Sequence, residues 1–486
     1  MKGLQCEKAL WLTKHEPDLK PLPSSFQQAR FDEGHAVGNL AKTCFENGID
    51  IAQKASTFTQ RLSLTQTLLS AARSTLFEAT VSYMGVLVMA DILIPNGYSG
   101  GWTLIEVKSA TSEKAVFLDD IAVQYWVLTR SGIRISKVEL WVVNSNYERK
   151  GPIDPVVFFK RMDVTQSIRQ RQKGLYEQVQ HFRTVLKTKT RPEVAIGPQC
   201  FSPYDCDFMN VCWANLPENS VFELAGLHRD KKFEWFEKGI TTVAEVPTQG
   251  LPLFQQIQIN AENEDHGVRV NQPELQQFLA QLHYPLACID FEGFQMALPP
   301  FDGLKPYQQV PFLVSMHIQH SPDEAPVHIE KMVSFGEDPR YLIAEVVAKN
   351  IPKNACVVAY SAAYEKSVLH QLAQLFPQFS EPLLQAAQSV IDLMTPFQKG
   401  FVYSKKMRGK LSIKSVVPAF VEGLSYADLV IADGEMAVLA YSQLATEANE
   451  AQKKELERQL RDYCTRDTYA MMQLIQALQK LGVQQP

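Results

Sequence analysis

Residues 88–110 read VMADILIPNGYSGGWTLIEVKSA. VMADILI (88–94) and WTLIEVK (102–108) are apolar runs, and PNGYSGG (95–101) between them is dense in turn formers. The stretch therefore predicts a β-hairpin. Alternation along a strand puts Glu106 and Lys108 on one face of the second arm, with Asp91 near the middle of the first. Two carboxylates converging from paired strands, with an ammonium beside them, can hold a divalent cation and activate a water for attack on phosphate. A solvated strand face with an incidental salt bridge is the simpler reading. Against it, Asp91 interrupts an otherwise apolar run, and a central strand rarely buries an unpaired carboxylate.

Upstream, LFEATVSYMGVLVMADILI (76–94) reads as one continuous strand carrying Glu78, preceded by a helix over 63–72. A helical run over 25–45 contains His35 between Gly34 and Gly38. That histidine reads as a metal ligand, a phosphate contact or a merely structural residue. Downstream, FLDDIAVQYWVLT (117–129) is helical with Gln124 and Tyr125 at its centre, and KVELWVVN (137–144) is a further strand. Helix, strands, helix and strand in this order predict an α/β core with a mixed sheet. Residues 165–188 read as one long polar helix, either a solvated face or the lining of a nucleic-acid channel.

The 486 residues are enough for two or three domains with full cores. A net charge of −5 gives no bulk basicity, so any nucleic-acid contact must come from local grooves. The opening segment MKGLQCEKALWL has no signal-peptide core and no run is long enough to span a membrane, so the expected location is the cytoplasm. In that compartment the eight cysteines are not expected as structural disulfides. Cys200, Cys206 and Cys212 recur with five residues between successive members, in QCFSPYDCDFMNVCW. Closely spaced thiols of this kind predict zinc or an iron–sulfur cluster, with Cys6 as the distant fourth ligand. Cys44, Cys288, Cys356 and Cys464 lie in apolar surroundings and read as reduced core residues.

On these residues the segment 1–215 resembles the RecB-like branch of the PD-(D/E)XK nucleases, in particular CRISPR-associated and helicase-linked members with an iron–sulfur staple. The resemblance implies a restriction-endonuclease-like fold with an active site of His35, Asp91, Glu106 and Lys108. Gln124 falls on the family's Gln-x-x-x-Tyr motif, and Glu78 on a further acidic position. It also implies a [4Fe–4S] cluster on Cys6, Cys200, Cys206 and Cys212. Two positions depart from the pattern. Ala90 precedes Asp91 where the family name has Pro, and Leu128 takes the motif's Tyr position, which leaves Tyr125 as a weaker counterpart.

Residues 216–275 resemble the helical hairpin that follows nuclease domains in related fusions, with Gly239 and Ile240 in the turn and an acidic loop at 262–267. In 276–486, YPLACIDFEGF (284–294) ends a buried strand with Asp290 and Glu292 on one face, the spacing of two ligands to a shared metal pair. PFLVSMHIQH and VHIEKMVSF continue as an antiparallel meander, and ACVVAYSAAYEKSVL is a strand running into a helix that starts near Glu365. In the C-terminal helix Tyr463 and Asp467 are four apart, hence on one face.

These pieces, with GKLSIKSVVPAF (409–420) and the Asp392–Leu393 pair, resemble the DEDD superfamily of 3′–5′ exonucleases in its tyrosine subclass. The resemblance implies a ribonuclease-H-like fold, metal ligands Asp290, Glu292, Glu365 and Asp467, and Tyr463 orienting the attacking water. In the second motif Ser361 replaces the usual Asn and Glu365 the usual Asp. The arrangement as a whole is similar to an uncharacterised bacterial fusion family. It implies a nuclease acting on DNA, with RNA left open, using Mg²⁺ or Mn²⁺, alongside other DNA-processing or defence proteins. The rivals are a redox-sensing or nucleic-acid-binding scaffold with degenerate sites, and a zinc protein that scaffolds a complex.

Overall fold

In the computed structural model the chain is mixed α/β and divides into two units, Met1–Ala214 with Gln295–Gln308, and Asn215–Phe294 with Gln309–Pro486. The structure describes residues 1–71, 74–97, 100–263, 267–445 and 447–483. Positions 98–99 of the expected turn, 72 of the expected 63–72 helix, and 264–266 of the acidic loop lie outside the described residues.

The first unit is built on a six-stranded sheet in sequential order: β1 (Ile49–Asp50), β2 (Leu76–Tyr83), β3 (Val86–Pro95), β4 (Trp102–Lys108), β5 (Ile135–Val143) and β6 (Phe159–Asp163). β2, β3 and β4 pair antiparallel, whereas β4 and β5 are parallel. The single strand expected over 76–94 is two strands. The chain folds back at Met84–Gly85, whose φ values of 53° and 80° are the left-handed pair that a tight hairpin turn demands.

The helices used below are α1 (Glu7–His15), α2 (Ser25–Lys42), α3 (Phe58–Ala71), α4 (Ala115–Arg130) and α5 (Leu175–Lys187). Alternation sorts the sheet into two faces. Leu93 and Leu104 pack with Ile121 and Val127 of α4, whereas Ile92 and Ile105 pack with Val37 and Ala41 of α2. Glu106 and Lys108 share parity with Leu104, so they emerge on the α4 face, and Asp91 lies at the break in the β2–β3 ladder opposite Glu78. The long helix expected over 165–188 is broken: Thr165–Gln170 stops short, and α5 begins after Gly174, held at φ 85°.

The segment 295–308, expected inside the C-terminal domain, belongs to the first unit. Arg149 donates from Nη1 to the Pro299 and Pro300 carbonyls at 2.7 and 2.6 Å, and Ala297 N donates to Glu33 Oε1 at 2.6 Å. Ala297 and Leu304 are buried, which adds an apolar contribution to these bonds.

The second unit carries a five-stranded sheet. In the chain, α6 (Arg229–Glu237), α7 (Leu253–Asn263) and β7 (Val268–Val270) precede β8 (Leu286–Phe294) and β9 (Val310–Gln319). There follow β10 (Val327–Met332), α8 (Arg340–Asn350), β11 (Cys356–Ala359), α9 (Ala363–Leu375), α10 (Ser380–Ser389) and β12 (Val390–Asp392). The chain ends with β13 (Val402–Ser404), α11 (Ile413–Phe420), α12 (Gly434–Gln443) and α13 (Glu450–Val483).

β8, β9 and β10 form an antiparallel meander, and β11 runs parallel to β8 and β12. Ala287, Ile289 and Phe291 pack under α8, α9 and α10. The opposite parity, Asp290 and Glu292, faces α13. Residues 216–275, expected as a separate linker, are part of this unit. β7 pairs with β13, and Phe254 of α7 meets Tyr403 edge-on at 5.8 Å.

Candidate active sites

In the first unit the β3–β4 ladder runs from Pro95↔Trp102 to Ile92↔Ile105. One residue further, the Asp91 side chain takes over the backbone's role: its Oδ2 accepts from Val107 N at 2.8 Å. Glu106 is buried at 3% exposure, and both its oxygens are engaged. Gln124 Nε2 of α4 donates to Oε2 at 2.9 Å, and Lys108 Nζ lies 2.7 Å from Oε1. Burial first, and then the Glu106 charge, raises the Asp91 carboxyl well above its ordinary range. Burial likewise raises Glu106. Burial works against the Lys108 ammonium, but the Glu106 and Asp120 carboxylates outweigh it and hold its pKa above the ordinary lysine value.

His35 does not join this group. It is exposed on α2, the helix that covers the other face of the sheet. Glu78 turns to that face too. Its φ of 56° lets Leu76 and Ala79, three residues apart, sit in one core while Glu78 reaches back to Lys42 at 3.0 Å. Tyr125 is half-buried against the core beneath α4, away from the charges.

Cys6, Cys200, Cys206 and Cys212 line one cavity with Leu12, Ile196, Phe208 and Trp213. Cys6 ends the first helical turn of the chain, and Gln5 Nε2 ties that turn to the Gln199 and Tyr204 carbonyls at 3.1 and 2.7 Å. Cys206 N donates to Cys200 O at 2.8 Å, closing the loop between those two thiols. All four are half-buried free thiols. Among the described residues, no three of their sulfurs fall within 4.8 Å of one another. A single tetrahedral zinc with bonds of about 2.3 Å needs its sulfurs roughly 3.8 Å apart.

In the second unit Asp290 and Glu292 of β8 meet Asp467 of α13, with one oxygen from each lying within 4.8 Å of the others. Glu292 and Asp467 are 8% and 6% exposed. Burial and mutual repulsion push Glu292 to about 8 and Asp290 well above the carboxylate range, and burial pushes Asp467 to about 6. Like charges crowded in a dry pocket show this pattern, and a bound cation would reverse it. Glu365, in the first turn of α9, stands outside the trio. It is 4% exposed, its Oε2 has no hydrogen-bond partner among the described residues, and burial raises its pKa to about 7. Ser361, where the resemblance expects Asn, has φ 64° and donates its N–H to Asp392 Oδ1 at 2.9 Å.

Residues 287–412 match a family described as a domain of unknown function (DUF2779). The match covers Asp290, Glu292 and Glu365 and stops short of Tyr463 and Asp467. None of the curated proteins matches the chain.

Several residues in these sites escaped the sequence reading. Asp120 of α4 lies 2.9 Å from Lys108 Nζ; its place four residues before Gln124 on one helix face was the available signal. Tyr426 donates to Asp467 Oδ1 at 2.5 Å, and the Cys464 thiol sits 3.3 Å from Asp290 Oδ2. Lys414 donates to Tyr463 Oη at 2.9 Å. Gly293 also has a role: a Cβ there would lie 2.0 Å from Tyr364 Oη.

Proposed function

We propose that this chain is a metal-dependent nuclease with two hydrolytic sites. In this reading the first unit is a RecB-like PD-(D/E)XK nuclease, and the second is a ribonuclease-H-like exonuclease of the DEDD type. The observation that carries it is the Asp91–Glu106–Lys108 constellation on paired strands, with every polar partner arranged around charge.

Asp91 and Glu106 have the oxygen donors to hold Mg²⁺ or Mn²⁺, and such an ion supplies a Lewis acid and a water of lowered pKa. Lys108, kept charged by Glu106 and Asp120, is placed to orient that water and to stabilise charge growing on the phosphoryl oxygens. Gln124 fixes the free oxygen of Glu106, so the carboxylate presents one orientation. In the second site Asp290, Glu292 and Asp467 form the cation-binding trio, Glu365 contributes a further unpartnered oxygen, and Tyr463 is the group that orients water. The exposed Lys406 and Lys410, on the turn leading to α11, suit a polyanionic substrate.

Four cysteines lining one cavity are a donor set that suits a [4Fe–4S] cluster, the proposed occupant, with a structural zinc as the rival. Cys6 would then be stapled to the end of the same unit. DNA is the proposed substrate, and an RNA control separates the two polymers.

The test is cleavage of end-labelled single- and double-stranded DNA, and of RNA, by anaerobically purified protein with Mn²⁺ or Mg²⁺. Wild type, Lys108→Ala and Asp290→Ala are compared. The expected result is cleavage by wild type, with each variant losing one product pattern. Absence of metal-dependent cleavage of any polymer by wild type would overturn the reading in favour of a scaffold.

A further inference from the structure

Lys414 lies in the first turn of α11, and its side chain's only hydrogen bond among the described residues is the one donated to Tyr463 Oη at 2.9 Å. Its nitrogen lies 4.8 Å from the Tyr463 ring centroid and 5.9 Å from that of Tyr426. Those two phenols bracket Asp467: Tyr426 donates to its Oδ1, and Tyr463 lies one helical turn away on the same face. The ammonium is therefore held at the edge of the carboxylate trio by aromatic faces and one hydroxyl. Among the described residues it makes no ion pair. Its field reaches the trio: against burial, which raises both groups, Lys414 draws the Glu292 and Asp467 carboxyls back down. An ammonium carries three donors, and the Tyr463 bond uses one.

We propose that Lys414 is a catalytic residue of the second site, binding a non-bridging oxygen of the scissile phosphate with its free donors while it orients the Tyr463 hydroxyl. The role parallels that of Lys108 in the first site, on unrelated elements. The inference rests on the reading of the second unit as a phosphodiesterase. In the step it serves, a water oxygen bonds to phosphorus as the P–O3′ bond breaks. The water's proton is lost to solvent and the departing O3′ takes one up, so one water is consumed and no oxidant or reductant is needed. Lys414 takes no part in these proton transfers and stabilises charge on the phosphoryl oxygens. Glu365, whose buried Oε2 has no hydrogen-bond partner among the described residues, lies near enough for its charge to raise the Asp290 and Glu292 carboxyls.

The test uses the full chain with Lys108→Ala to silence the first site, and adds Lys414→Met or Lys414→Arg. Exonuclease kinetics on a 3′-labelled oligonucleotide and Mn²⁺ affinity by electron paramagnetic resonance are both read. Lys414→Met should lower kcat/KM by about 10²–10³-fold while Mn²⁺ binds several-fold more tightly, because a repelling charge has left the carboxylates. Lys414→Arg should recover part of the rate. A merely structural lysine predicts the opposite pairing, with Mn²⁺ affinity and rate falling together, and that outcome overturns the proposal. An unchanged rate in Lys414→Met overturns it as well. If the parent shows neither cleavage nor an Mn²⁺ site that Asp290→Asn removes, the reading of the second unit falls, and this proposal with it.

Discussion

Lys108 Nζ sits between two carboxylates, 2.7 Å from Glu106 Oε1 on its own strand and 2.9 Å from Asp120 Oδ2 on the helix above. Glu106 is buried, whereas Asp120 is about a third exposed, so the two anchors differ in kind. In the proposed first site Glu106 belongs to the reacting group and Asp120 positions the lysine. Asp120→Asn should lower cleavage by the first site about tenfold, from the loss of one charge-assisted hydrogen bond. With one raising charge gone, the alkaline limb of the pH profile should move to lower pH. A variant with the wild-type rate and the wild-type limb would remove Asp120 from this role.

Gly293 and Tyr364 compete for the same space. A Cβ at 293 would stand 2.0 Å from Tyr364 Oη and 3.1 Å from the Val310 carbonyl. Gly293→Ala should destabilise the protein by about 1–3 kcal/mol in chemical denaturation. The Tyr364 hydroxyl is buried without a hydrogen-bond partner among the described residues, so Tyr364→Phe alone should be close to neutral. Combined with Gly293→Ala it should restore most of the loss. Additive losses in the double variant would show that the clash is with backbone.

The crowded carboxylates of the second site make a pH prediction. Glu292 is raised from its ordinary 4.5 to about 8, by burial first and then by Asp467. The native state thus holds a proton that the unfolded chain releases. Stability from this group is full below pH 4.5 and is lost as pH rises through 8. In EDTA, Glu292→Gln should melt close to wild type at pH 5 and above it at pH 8.5, by on the order of a few kcal/mol. Mn²⁺ should stabilise wild type at the higher pH and leave the variant's melting temperature nearly unchanged. A pH-independent gap between the two proteins would contradict the assignment.

For the proposed cluster in the cysteine cavity, Cys6→Ser removes the thiol furthest away in sequence from the other three. Anaerobic preparations should lose most of their iron and acid-labile sulfide, and melt on the order of 10 °C lower. Wild-type protein that holds zinc and no iron would replace the cluster with a single-ion site.

The sequence by itself determined whatever depends on covalent periodicity. Two-residue alternation put Glu106 with Lys108, and Asp290 with Glu292, on common faces, and the helical repeat joined Tyr463 to Asp467. These are properties of a strand or helix wherever it lies. Only the tertiary structure decided which faces meet. Register set Asp91 against Val107 N, and sheet parity sent the acidic group toward α4 while α2, with His35, covers the other side. The left-handed backbone at Glu78, Met84 and Gly174 broke the regular repeat, which is why one predicted strand became a hairpin and one predicted helix became two. Tyr426 and Lys414 reach Asp467 and Tyr463 across packed interfaces, where adjacency depends on burial and shape and leaves no spacing in the chain to read.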